Sequence, residues 1–281
     1  MVLKDILLHV DTYPEPTRPE AIDQAVAFAV AFDSRITALA VQIDLGNPSN
    51  WLADRLIGLS GLCDEEEARS LAAGRSSLAN FSAKLAKAGG QGQTLLTKAD
   101  FVLTGEHVAV AARTRDLCLV PVTDNLDGQR AVAETVVFES GRPVIVYQSG
   151  QADLPSALDT VLVAWDGSRS AARALADALP VLAKARKVVV ATVVNEKPEA
   201  RAGLAAEAVR HLQVHGIDAV AEEVDAAGRK IGEVLEDLAA TRKADLIVMG
   251  AYGRSRMREF ILGGATEHML HAPKRPLFLA H

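Results

Sequence analysis

Two cysteines, Cys63 and Cys118, are all that 281 residues contain, so neither a disulfide framework nor a thiolate zinc site is expected. Long apolar runs are missing as well. The longest, Ala25 to Phe32, breaks off at Asp33, far short of the roughly 20 residues that span a bilayer. Near the start, Lys4 and Asp5 precede only a brief apolar stretch, Ile6-Leu7-Leu8, too short for a secretory signal. A cytoplasmic protein without membrane contact is expected. The formal net charge of −6 leaves no basic excess for non-specific nucleic-acid binding. A Walker A phosphate loop is absent, which excludes P-loop chemistry, and so is a Gly-x-Ser-x-Gly nucleophile elbow. What remains, at 49% hydrophobic and 23% charged residues, is the balance of a chain with a packed core.

The chain repeats itself. A mostly polar stretch, Ser149 to Pro155, reads as a linker between two similar halves, residues 1–150 and 155–281. Each half opens with a short β-type run ending in aspartate: Ile6-Leu7-Leu8-His9-Val10-Asp11 and Val161-Leu162-Val163-Ala164-Trp165-Asp166. Ala-rich helical patterns follow, roughly 19–32 and 168–184, then apolar strands over Arg35–Gln42 and Lys187–Val194. Thr114 to Pro121 parallels Thr241 to Gly250 with a short gap, and each half closes with Arg-Pro before a last strand, at Arg142-Pro143 and Arg275-Pro276. Strands alternating with helices imply right-handed crossovers and a parallel sheet covered on both faces. The halves differ in one place: the first carries a longer segment, residues 45–89, between its second and third strands. There, Trp51, Leu52, Leu56, Ile57, Leu59 and Leu62 have helical spacing before the acidic run Asp64 to Glu67. Internal packing is the expectation for these apolar residues.

The chemistry gathers in the second half. Gly250 follows a strand ending at Met249, Gly253 comes three residues on, and Gly263, Gly264, Ala265 and Thr266 lead into a short helix, Glu267 to His271. In an open parallel sheet, ligands bind beyond the carboxyl ends of the strands. Glycine there lets backbone approach a phosphate, and the helix start offers unpaired N–H groups to an anion. The Thr266 hydroxyl can add a hydrogen bond. Asp166 would repel phosphate, so its expected role is to accept from ribose hydroxyls or the base. Val193, near the end of the second strand, offers an apolar wall for adenine. Trp165 is read equally well as a base-stacking ring or as packing. Arg254, Arg256 and Arg258 suit phosphates, or form a solvated basic loop.

This set resembles the nucleotide signature of the universal stress protein family, Gly-x2-Gly-x9-Gly-Ser/Thr, supplied here by Gly250, Gly253 and Gly263. Gly264 stands where the family has Ser or Thr, which removes one hydroxyl donor. The resemblance implies an α/β fold: two doubly wound parallel five-stranded sheets of order 3-2-1-4-5, related by a pseudo-twofold axis, with the fifth strands paired across it. It implies a nucleotide site at Ala164, Trp165, Asp166, Val193, Met249, Gly250, Gly253, Gly263, Gly264, Ala265 and Thr266, for ATP or AMP with or without Mg. A protein partner and further dimerisation are compatible with it. In the first half Pro121 and Asp124 replace the first two glycines, while Arg130 and Ala131 stand in the places of Gly263 and Gly264. Proline removes a donor, and side chains fill the space that backbone needs. That half is expected to bind no nucleotide in the family manner, although Asp11 persists.

The expected function is therefore a nucleotide-responsive binding module of stress response, with no catalytic residue and at most slow ATP hydrolysis. Two other readings stand beside it. An adenylating or pyrophosphatase enzyme would want a glycine-rich loop after the first strand, where Asp166-Gly167-Ser168-Arg169-Ser170 has one glycine. A nucleotide-independent scaffold would fit the Gly264 departure. His268 and His271, three apart, have zinc-ligand spacing but no convincing third ligand, so a half-exposed helix is expected.

Overall fold

The computed structural model describes residues 2–46, 59–123, 127–195, 203–251 and 264–281. Its first half contains β1 (Asp5–Val10), α1 (Pro19–Ala31), β2 (Arg35–Asp44), α2 (Leu59–Lys87), β3 (Gly92–Asp100), α3 (Thr104–Ala112), β4 (Leu117–Pro121), α4 (Asp127–Glu139) and β5 (Val144–Tyr147). The second half repeats the series as β6 (Thr160–Ala164), α5 (Arg169–Leu182), β7 (Lys187–Val194), α6 (Leu204–Val214), β8 (Ala219–Asp225), α7 (Ile231–Arg242), β9 (Leu246–Gly250), α8 (Gly264–His271) and β10 (Leu277–Ala280). The strands run β3-β2-β1-β4-β5-β10-β9-β6-β7-β8 in one ten-stranded sheet. Each half thus has the order 3-2-1-4-5. Pairing is parallel throughout, except at the antiparallel join of β5 to β10.

That join carries the pseudo-twofold axis. Ile145 faces Phe278, its counterpart in the repeat, and the pairs Val146–Leu277 and Val144–Leu279 on either side are exchanged by the axis. Two edges that would otherwise template aggregation are thereby paired. The repeat extends to single hydrogen bonds. An Asp116 carboxylate oxygen accepts from the N–H groups of Lys4 and Asp5 at 2.8 and 2.9 Å. Asp245 does the same for Asp159 and Thr160 at 2.7 and 2.9 Å. Gly105 and Gly232 repeat too, each leaving room for a side chain of the last helix in its half, Thr135 and His268.

Alternation along the strands feeds two apolar layers. Ile6, Leu8, Val10, Val161 and Val163 join α1, α2, α5 and α6 on one face. Leu7, Leu162, Val189, Ala191 and Val193 join α3, α4, α7 and α8 on the other. Both layers run unbroken from one half into the next. The connecting stretch is fixed rather than loose: the Gln24 amide of α1 binds Asp153 and the Leu154 N–H, and Leu154 and Leu158 are buried.

Residues 59–87 of the longer first-half segment form one helix. Ser70, Gly74, Ser77, Leu78, Phe81 and Leu85 make its buried stripe. The small residues bring it close: a Cβ on Gly74 would sit 3.1 Å from Thr12 and 3.3 Å from Leu96. Leu62 is exposed on this helix, against the expectation of packing, while Leu59 is half-buried. Trp51, Leu52, Leu56 and Ile57 lie outside the described residues. Of the acidic run, Glu67 accepts from the Leu45 N–H at 2.9 Å and pairs with Lys98 at 2.8 Å, closing the end of β2.

Candidate functional site

The C-terminal ends of β6, β7 and β9 form one edge of the second half. Ala164 pairs with Ala191 on one side and Met249 on the other. Ala164, Val193, Met249 and Ala265 all contribute to the apolar layer of α7 and α8, so the structure brings these four site residues to one face. Trp165 packs into the opposite layer. Of its two readings, packing is what the structure shows, and its ring is not gathered with the other four.

Asp166 lies beyond the strand end and is exposed. One carboxylate oxygen accepts from the Ser168 N–H at 3.0 Å, closing a small turn in which Gly167 has φ +72°. Ser168 then caps α5 by accepting from the Ala171 N–H at 3.2 Å. Helix α5 therefore begins almost at once after β6. That proximity explains Gly250 in a way the sequence did not suggest. A Cβ there would sit 2.4 Å from the Ala171 nitrogen and from the Ser170 carbonyl carbon. Gly250 is needed for helix α5 to close on β9, and its φ is not positive.

Gly264 opens the described part of α8. It is exposed, and an added Cβ would meet none of the described residues within 4 Å. Thr266, in the first turn, is buried at 3% exposure. Gly253, Gly263, Arg254, Arg256 and Arg258 lie outside the described residues, as does Asp124 of the first half. His268 packs over Gly232, 3.5 Å from Glu236, and His271 is exposed. Glu236 also binds Lys274 at 2.6 Å, which holds the lysine above its usual range. Asp225, at the end of β8, accepts from the Ala227 N–H and the Asn195 amide. These bonds hold its carboxyl below the ordinary value of 3.8. Among the described residues no group of three His, Cys, Asp or Glu side chains is arranged for a metal ion.

The same edge of the first half is built differently. His9 occupies the position of Ala164 and is 1% exposed, with Nε2 2.9 Å from a carboxylate oxygen of Asp11. Asp11, the counterpart of Asp166, is itself buried at 7%. His9 Nδ1 and the second Asp11 oxygen have no protein partner among the described residues. A strap, residues 12–18, then crosses the strand ends before α1. Thr12 donates to the Val41 carbonyl at 2.6 Å and meets Ser70 of α2 at 2.7 Å. Tyr13 stands edge-on to Phe101 at 5.6 Å, and Thr17 binds the Asp11 N–H at 2.8 Å. Arg130 pairs with Glu134 at 2.7 Å rather than leaving a bare helix start. In the sequence, the signal of this difference is His9. It stands opposite Ala164 in the repeat, on a strand position that faces the crevice.

Residues 157–281 match the sequence profile described as the Universal stress protein family. No curated protein matches the chain. Among solved structures, a universal stress protein from Archaeoglobus fulgidus DSM 4304 is similar over 98% of this chain and 97% of its own, with a TM-score of 0.66 at 18% identity. A functionally unknown protein from Pseudomonas aeruginosa PAO1 is similar over 99% and 92%, with a TM-score of 0.56 at 17% identity. The second half, residues 157–281, is thus similar in sequence to the universal stress protein family, and the chain over its whole length is similar in fold to these two structures.

Proposed function

We propose that the second half binds an adenine nucleotide, ATP or AMP, at the ends of β6, β7 and β9, and that the first half is its structural partner. One observation carries this reading. At matched positions the second half presents an exposed aspartate, a small alanine and an open glycine helix start, where the first half has a buried His–Asp pair under a strap. Ala164, Val193, Met249 and Ala265 would form the apolar wall for the base. The free oxygen of Asp166 would accept from ribose hydroxyls. The N–H groups at the start of α8, with Gly253 and Gly263 of the signature, would hold phosphate. In this reading the dipole of α8 favours the anion, and Gly264 lets it approach.

Among the described residues of this edge no side chain is poised as a base for water, and the role proposed is binding. The continuous apolar layers also argue against large relative motion of the halves, so occupancy would act locally, on loops and partners. The test begins with protein purified without added ligand, denatured, and analysed for released nucleotide. Nucleotide-free protein is then titrated with ATP. Gly264→Val adds a side chain where no described residue lies within 4 Å of its Cβ, so the fold should persist while affinity falls at least about tenfold, the loss of roughly one charge-assisted hydrogen bond. Unchanged affinity in that variant would overturn the assignment of the phosphate cradle.

A further inference from the structure

One ring links the first half to the root of the candidate site. His281 follows β10, and its Nδ1 lies 3.1 Å from the carbonyl oxygen of Ala251, the residue after Gly250. A carbonyl only accepts, so Nδ1 carries the proton. Ala251 is fully buried, and its own N–H donates to Ala280 at 2.8 Å, extending the β9–β10 ladder one step past Gly250. The same imidazole stands edge-on to Phe138 of α4, with ring centroids 5.2 Å apart and planes at 70°. Phe138 belongs to the first half. Its helix is the one that bears Arg130 and Ala131 in the places of Gly263 and Gly264. A contact path thus runs from the half without a signature, through Phe138 and His281, to the backbone at Gly250 and Ala251.

We propose that Phe138 and His281 are positioning residues for the second half's nucleotide site, so that the first half acts on binding without touching the ligand. This rests on the reading of that site given above. The aromatic edge fixes the plane of the imidazole. The imidazole in turn orients the Ala251 carbonyl, and with it the peptide that leaves Gly250. A backbone that must receive a ligand is held from both sides: α5 closes on Gly250, and His281 holds Ala251.

The experiment compares the full chain with Phe138→Ala, His281→Ala, the double variant and His281→Asn, whose amide nitrogen can replace Nδ1 as donor. ATP affinity is measured by titration calorimetry, and amide hydrogen exchange is followed over residues 249–251. Each alanine variant should weaken ATP about three- to tenfold, the worth of one neutral hydrogen bond. The double variant should lose less than the sum of the two single ones, because the Phe138–His281 contact is shared between them. His281→Asn should restore most of the affinity. Exchange over residues 249–251 should quicken in Phe138→Ala with or without nucleotide. Affinities within twofold of the parent, or losses that simply add, would overturn the proposal. If the parent chain itself binds no ATP, the functional reading fails. The exchange arm then still decides whether Phe138 controls this backbone, and unchanged exchange overturns that as well.

Discussion

Asp11 and Asp166 occupy one position in the repeat, yet the first is sealed beneath a strap with His9 while the second stands open in solvent. The fold around them is the same: the same strand order, the same aspartate bracing the first and fourth strands, the same glycine under the last helix. What differs is how soon the chain turns into its first helix. In the second half a glycine turn and a serine cap start α5 three residues after Asp166. In the first half seven residues, Thr12 to Arg18, lie across the strand ends first. The scaffold is thus kept in both copies, while the edge that would bind a ligand has been closed in one of them.

The join between the halves should show the largest effect. Phe278→Ala removes a buried ring from the pseudo-twofold axis and should cost about 3–5 kcal/mol in denaturant unfolding. Loss of only one half's folding signal, with the other unfolding as before, would break the picture of one shared core. Next come the two aspartates. Asp11→Ala should cost about 1–3 kcal/mol, because it leaves His9 buried without its partner. Asp166→Asn should change stability by less than about 0.5 kcal/mol and instead weaken nucleotide binding. Equal stability losses in the two variants would contradict the contrast between them.

Gly250→Ala forces a methyl into the backbone of α5 and should destabilise by about 1–3 kcal/mol. Pro121→Ala, at the matched place beside a later helix start, should cost less, as thermal unfolding of both variants will show. The cysteines also divide by half-burial and full burial. Burial pushes the Cys118 thiol up to about 12, whereas Cys63 is only half-buried on α2. A thiol reagent should therefore modify Cys63 in the native protein and Cys118 only after unfolding. The smallest effect is expected at Asp225. Its folded pKa lies below the ordinary 3.8, so its contribution is present above that value and is lost as pH falls through the lowered one. An Asp225→Asn variant should match the parent in acid and be slightly less stable at neutral pH.

Much of this was legible in the sequence because it rests on pattern. The period of apolar residues, the Arg-Pro pairs before β5 and β10, and the aspartates after β1 and β6 mark the duplication, while the strand order and the pairing of the fifth strands follow from the family resemblance. The replacements at Pro121, Arg130 and Ala131 already set the halves apart. Three things were not legible, each because it depends on distances between elements. Gly250 reads as a phosphate-facing glycine, but the atoms nearest its missing Cβ belong to α5. Trp165 sits beside Asp166 in sequence, yet strand alternation sends its ring to the other layer. His9 looked like one residue of a strand. Only the parallel register with β2 and β4 shows that it fills the place left small by Ala164.

The central claim is that two copies of one fold carry a single open edge. Calorimetric titration of the nucleotide-free chain with ATP tests it most directly. About one site per chain is the expected result, with the site lost on Gly264→Val and retained on Asp11→Ala. Two equivalent sites per chain, or no binding at millimolar ATP, would contradict it.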